Sequence, residues 1–155
     1  MTTENTKKTR TESDLIGARE VPYEALYGVQ TLRGMENFPI SHFKLSQYPL
    51  FIKGLGVTKL GAVRANHKLG LIPDDMAKAI EQACLELIEG RHTEAFPVDM
   101  IQGGAGTSTN MNSNEVITNI ALESLGHKKG EYQYLHPNDH TNLGQSTNDT
   151  YPSSI

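Results

Sequence analysis

Apolar positions along this chain fall into three helical stripes, separated by polar segments punctuated with glycine and proline. The first opens at Pro49, a residue suited to a first helical turn. Phe51, Leu55, Leu60, Val63 and Leu69 then recur at roughly helical spacing until Gly70, which predicts a helix with a glycine stop. Gly54, Gly56 and Gly61 each cost ~1 kcal/mol against alanine inside a helix, so the element needs a neighbour packed close enough to use their small size. Pro73, Asp74 and Asp75 open the second stripe, with both carboxylates facing the positive end of the helix dipole. Met76, Ile80, Ala83, Cys84, Leu87 and Ile88 form its apolar face, and Gly90 closes it. The third helix is expected over about residues 107–125, with Val116, Ile117, Ile120, Ala121 and Leu125 apolar and Gly126 as the stop.

The intervening segments read differently. Residues 1–10 are polar and predict a frayed tail. The stretch from Asp14 to Tyr23 reads as an ordered loop, and Tyr23, Leu26, Tyr27 and Val29 as anchors of a short turn or helix. Ile40, Phe43 and Leu45 suit an extended piece, as do residues 96–100, while residues 132–135 suggest a short strand. A last helix is expected to begin near Thr147. The sum is a mainly α domain with a small β component, without internal repeats or low-complexity runs.

Composition narrows the function classes. The 155 residues carry a formal net charge of -4, so no basic face points to a nucleic-acid partner. No apolar run approaches the ~20 residues that span a bilayer, and the polar start has no apolar core of a secretory signal. A cytoplasmic protein without a membrane partner is the default expectation. Cys84 is the single cysteine, which rules out an internal disulfide and a cysteine-based zinc site. Its place in an apolar stripe predicts a small core residue.

Two strings carry candidate chemistry. The first is QGGAGTSTN, from Gln102 to Asn110, whose glycines allow close backbone approach at a helix start where N–H groups are free. Thr107 and Ser108 add hydroxyls, and the same pattern would also serve as a simple cap. It lacks the lysine of a phosphate loop, so a nucleotide is not expected. Asn110 and Asn114 share one helix face, which points to a polar site or to polar packing between helices. The second string runs from His136 to Asp149 and places Ser146, Thr147 and Asn148 consecutively at a probable helix start. His136, Asp139 and His140 lie in a loop containing Pro137, which does not give the helical i, i+4 geometry of a metal motif, and no third ligand is obvious, so no metal is expected. Neutral hydroxyl, amide and main-chain donors at two helix starts suit a small carboxylate.

At these residues the chain resembles the aspartase/fumarase superfamily. QGGAGTSTNMNSNE at 102–115 is similar to the family's first characteristic block, and HPNDHTNLGQSTND at 136–149 to its second. The opening from Asp14 to Gly28 is similar as well. Ala105, Thr147 and the stretch from Gly126 to Leu135 resemble the aspartase branch, with fumarase the alternative. A non-catalytic carboxylate-binding or assembly fragment is the rival from another class.

The resemblance implies a domain at 11–145 and, at 146–155, the truncated start of a central helix bundle. It implies reversible elimination of ammonia from L-aspartate to give fumarate, in a homotetramer that uses no cofactor. Thr107, Ser146 and Thr147 would hold the β-carboxylate and Asn148 would orient the substrate near its amino group. In fumarases the His-Pro-Asn-Asp turn forms a secondary carboxylate site, which His136, Asn138 and Asp139 match. The family's base is a serine on a mobile loop far along the chain, beyond these 155 residues. No catalytic residue is therefore expected here, and the chain alone is expected to be inactive.

Overall fold

The computed structural model describes residues 8–155. Two strands, β1 (Thr9–Asp14) and β2 (Gly17–Pro22), form an antiparallel hairpin with Thr9 opposite Pro22 and Asp14 opposite Gly17. Helices α1 (Val29–Asn37), α2 (Pro49–Lys68), α3 (Asp74–Ile88), α4 (Thr107–Ser124) and the short α5 (Thr147–Thr150) follow. Helix α3 lies between α2 and α4, and α1 packs on α4. Single 3-10 turns sit at Leu45–Gln47, Thr93–Ala95 and Pro152–Ser154, and a π-type turn at Pro137–Thr141.

The three long helices stand where the apolar stripes put them. Ile52, Leu55, Ile80, Ala83, Cys84, Leu87, Val116, Ile117 and Leu122 meet in one core with Phe96 and Leu135. Burial pushes the Cys84 thiol up to about 12, so it is a core residue rather than a reactive one. Gly56 is where α2 and α3 touch most closely: a Cβ there would sit 3.1 Å from the Cys84 carbonyl oxygen and from the Leu87 and Ile88 side chains. Gly54 lies under the Ser154 carbonyl oxygen, which a Cβ would overlap. Gly61 meets nothing. Leu69, expected on the apolar face, is 71% exposed.

Residues 14–22 are not a loop, and Thr9 and Arg10 are not tail: they belong to the hairpin. The rest of the expected tail, residues 1–7, lies outside the described residues. The hairpin escapes a hydrophobic reading because its inward row on β1 is Arg10, Glu12 and Asp14. Arg10 donates to the carbonyl oxygens of Pro22, Tyr23, Ala25 and Tyr27 and to Glu12, at 2.7–2.9 Å. An isolated hairpin is marginal in water, and this guanidinium fastens it to the following turn. Residues 132–135 form a turn, not a strand. The extended piece at residues 40–45 reduces to one bridge, Lys44 with Asp99.

The start of α1 is capped from elsewhere in the chain. The buried Glu115 carboxylate accepts from the N–H groups of Gly28, Gln30 and Thr31 at 2.7–3.0 Å and from the Thr31 hydroxyl at 2.6 Å. Burial pushes its pKa up to about 7, while the Thr31 hydroxyl and the three N–H groups pull it down. Glu12 accepts from Val29 N at 2.9 Å beside it, so two carboxylates face one positive helix end.

Candidate functional site

Helix α4 is buried at every position from Thr109 to Leu122, although many of those residues are polar. Its start is fixed by three devices. Gln102 closes over the first turn, accepting from Thr109 N at 2.7 Å and donating to the Thr109 hydroxyl at 2.5 Å. The Phe38 ring lies against Gly103, where a Cβ would fall 2.6 Å from the ring edge. Gly106, the residue before the helix, has φ 91°, and the Tyr151 ring covers it so closely that any Cβ would overlap. Glycine is thus required at 106 both by backbone conformation and by space.

Tyr151 follows the second string by two residues, so the two strings are packed together. Thr107 Oγ1 and Thr147 Oγ1 lie 3.5 Å apart, although 40 residues separate them. Ser146 caps α5, its hydroxyl accepting from Asn148 N at 3.2 Å, and Thr147 Oγ1 lies 3.3 Å from Asn148 Oδ1. Thr107, Ser146 and Asn148 are exposed and Thr147 is half-buried, so these four form an open patch rather than a closed pocket. Their hydroxyls and amide are neutral donors, the kind of group that holds a carboxylate without neutralising it.

The polar face of α4 serves this patch from below. Asn110 and Asn114 both donate to Asn142 Oδ1, at 3.0 and 3.1 Å, so the pair packs α4 against the segment that precedes Ser146. Asn142, Gln145 and Lys59 are the residues the sequence reading did not single out. For Lys59 a signal was present: it shares the buried stripe of Ile52, Leu55 and Val63 on α2, where a charged residue is out of place.

His136 and His140 are structural within their turn. His136 Nδ1 accepts from Asn138 N at 3.2 Å, and His140 Nδ1 accepts from His136 N at 2.8 Å. Among the described residues, no three His, Cys, Asp or Glu side chains are grouped to hold a metal ion. A cavity of about 540 Å³ lies between the hairpin tip and this turn, lined by Asp14, Ile16, Gln30, Glu115, His136 and Asn138 among others. It does not include Thr107, Ser146, Thr147 or Asn148, so the two regions are distinct.

A family model described as Lyase matches residues 17–155. The aspartate ammonia-lyase of Pseudomonas fluorescens is 58% identical over 146 residues, which cover 94% of this chain and 30% of that protein. The Escherichia coli K12 aspartate ammonia-lyase is 57% identical over 147 residues, covering 94% of this chain and 31% of the relative. Among solved structures, the fumarate lyase:delta crystallin of Brucella melitensis superposes with a TM-score of 0.93 at 49% identity, over 95% of this chain and 34% of that one. A class II fumarase from Schistosoma mansoni gives 0.88 at 38% identity, over 95% of this chain and 31% of its own. The chain spans about a third of the length of the relatives it matches. By sequence and by fold alike, it belongs to the aspartase/fumarase superfamily of lyases.

Proposed function

We propose that this chain is the N-terminal third of an aspartate ammonia-lyase and supplies one end of its dicarboxylate site. The observation that carries this reading is the approach of the Thr107 and Thr147 hydroxyls to 3.5 Å across two separate loops. In the elimination, a base removes a proton from the carbon beside the β-carboxylate. The electron pair left there forms the carbon–carbon double bond as the C–N bond breaks and ammonia departs. Before that departure, charge accumulates on the β-carboxylate. Donors set in place in advance stabilise this developing charge more than they stabilise the ground state. Thr107, Ser146 and Thr147 are placed to hold that carboxylate, and Asn148 to orient the substrate near its amino group. The base, the second carboxylate's partners and the rest of the bundle come from polypeptide beyond these 155 residues. Assembly into a homotetramer in the cytoplasm completes the reading. Exposed Leu50, Val57, Leu71 and Ile155 are consistent with surfaces that further polypeptide covers.

Fumarate hydration is the second reading, favoured by the likeness to the class II fumarase. The higher identity to aspartate ammonia-lyases favours ammonia over water as the leaving group. One assay separates the readings: fumarate formation followed at its ultraviolet absorbance, with aspartate and then malate supplied. The full-length protein is expected to act on aspartate and the 155-residue chain on neither. Turnover of malate alone by the full-length protein replaces the first reading with the second.

A further inference from the structure

Lys59 stands midway along α2 and is 1% exposed, although lysine carries a charge at neutral pH in water. A buried ammonium is costly unless it is paired and hydrogen-bonded. Among the described residues no carboxylate pairs with it. Its Nζ instead donates to two amide oxygens, Asn142 Oδ1 at 3.0 Å and Gln145 Oε1 at 2.8 Å. Burial pulls its pKa down to about 7, and a neutral amine has two N–H bonds for those two acceptors.

Both acceptors lie in the segment that leads directly into Ser146. Asn142 Oδ1 also takes the Asn110 and Asn114 amides of α4, and Asn142 Nδ2 donates to the Gln145 carbonyl oxygen at 3.0 Å. Gln145 Nε2 returns to the Thr141 carbonyl oxygen at 2.9 Å. Two turns farther along α2, Asn66 holds the Leu143 carbonyl oxygen at 2.7 Å. Residues 141–145 are therefore tied to α2 and to the first turns of α4, the helix that begins with Thr107. Within this network Lys59 is the one group that grips both side chains flanking the bend at 143–144. Without it, Gln145 Oε1 loses its hydrogen bond to α2, and the side chain is held only by its own bonds to the Thr141 and Leu143 carbonyl oxygens.

We propose that Lys59 is a positioning residue that keeps Ser146 and Thr147 in register with Thr107, and through them the carboxylate end of the substrate. This rests on the function proposed above, but its structural half does not. In the full-length protein, Lys59→Met removes both hydrogen bonds at similar volume. It is expected to lower kcat/KM for aspartate at least tenfold, with KM raised and kcat lowered together. Lys59→Arg, which can still donate to both amides, is expected to recover part of the loss. Gln145→Met should reproduce the defect, and the double variant should be no worse than either single one, because both break the same link. Hydrogen exchange supplies a readout that needs no activity: amides of residues 146–150 should exchange faster in Lys59→Met while those of α3 stay protected.

A folded Lys59→Met protein with unchanged kinetics and unchanged exchange at 146–150 overturns the proposal. Should Lys59→Met fail to fold, a folded Gln145→Met protein with wild-type kinetics and exchange overturns it, and one with the defect supports it. If the unsubstituted full-length protein acts on neither aspartate nor malate, the functional reading fails, and the exchange measurement alone decides the role of Lys59.

Discussion

Asp99 gathers five donors around one carboxylate: the N–H groups of Ile40, Ser41, His42 and Ile101 and the hydroxyl of Ser41, at 2.6–3.2 Å. Desolvation acts to raise its pKa, but the Ser41 hydroxyl and the N–H groups of Ile101, His42 and Ser41 hold it well below the usual carboxylate range. A carboxyl depressed by folding contributes stability above its unfolded value, and that stability is lost as pH falls toward the folded value. Asp99→Asn is therefore expected to lower Tm at pH 7, with the gap to the unsubstituted chain closing as pH drops below about 4. Thermal melts of both proteins from pH 7 to pH 3 check it, and a gap that stays constant refutes it. Glu115 answers to a different argument, since Glu115→Ala strands the N–H groups of Gly28, Gln30 and Thr31. Each buried unpaired donor costs about 1–3 kcal/mol, so a clear fall in the urea midpoint is expected, smaller for Glu115→Gln.

The three glycines of α2 illustrate how one residue type takes its meaning from the neighbouring element. Gly56 admits α3, Gly54 admits the turn at Pro152–Ser154, and Gly61 faces open space. Gly61→Ala should therefore stabilise the chain by about 0.5–1 kcal/mol, the helix-propensity gain with no clash to offset it. Gly54→Ala should destabilise it, because the added carbon overlaps the Ser154 carbonyl oxygen and the turn has to move. Tm values of the two variants should move in opposite directions. Helix α4 makes the complementary point. Its apolar periodicity is weak because both faces are buried, and its amide N–H groups donate to Asn142, to the Ala95 and Leu26 carbonyl oxygens and to Tyr132 in the connecting segments.

At the scale of the whole molecule, the two donor strings form one open patch. On the proposed function the site acts through donors placed in advance, and losing one such donor elsewhere costs about 10²–10³ in kcat. In the full-length protein, Thr107→Ala and Ser146→Ala are each expected to lower kcat/KM on aspartate by a comparable factor, with Tm nearly unchanged for the exposed Thr107 and modestly lowered for Ser146, which also caps α5. Near-normal kinetics in both variants would remove these residues from the site.

The sequence by itself determined the three long helices, their glycine stops, the core place of Cys84, the family resemblance and the two strings of neutral donors. Each of those is a local signal: helical periodicity, a cap, or a contiguous motif. Tertiary structure alone decided the hairpin, whose charged inward row is held by Arg10 on the turn carbonyls, Glu12 on Val29 N and Asp14 on Arg33. It also decided the end-on capping of α1 by Glu115, the meeting of Thr107 with Thr147, and the use of Lys59 as an internal donor. Those depend on groups tens of residues apart satisfying one another's hydrogen bonds, and no spacing along the chain records which donor will face which acceptor.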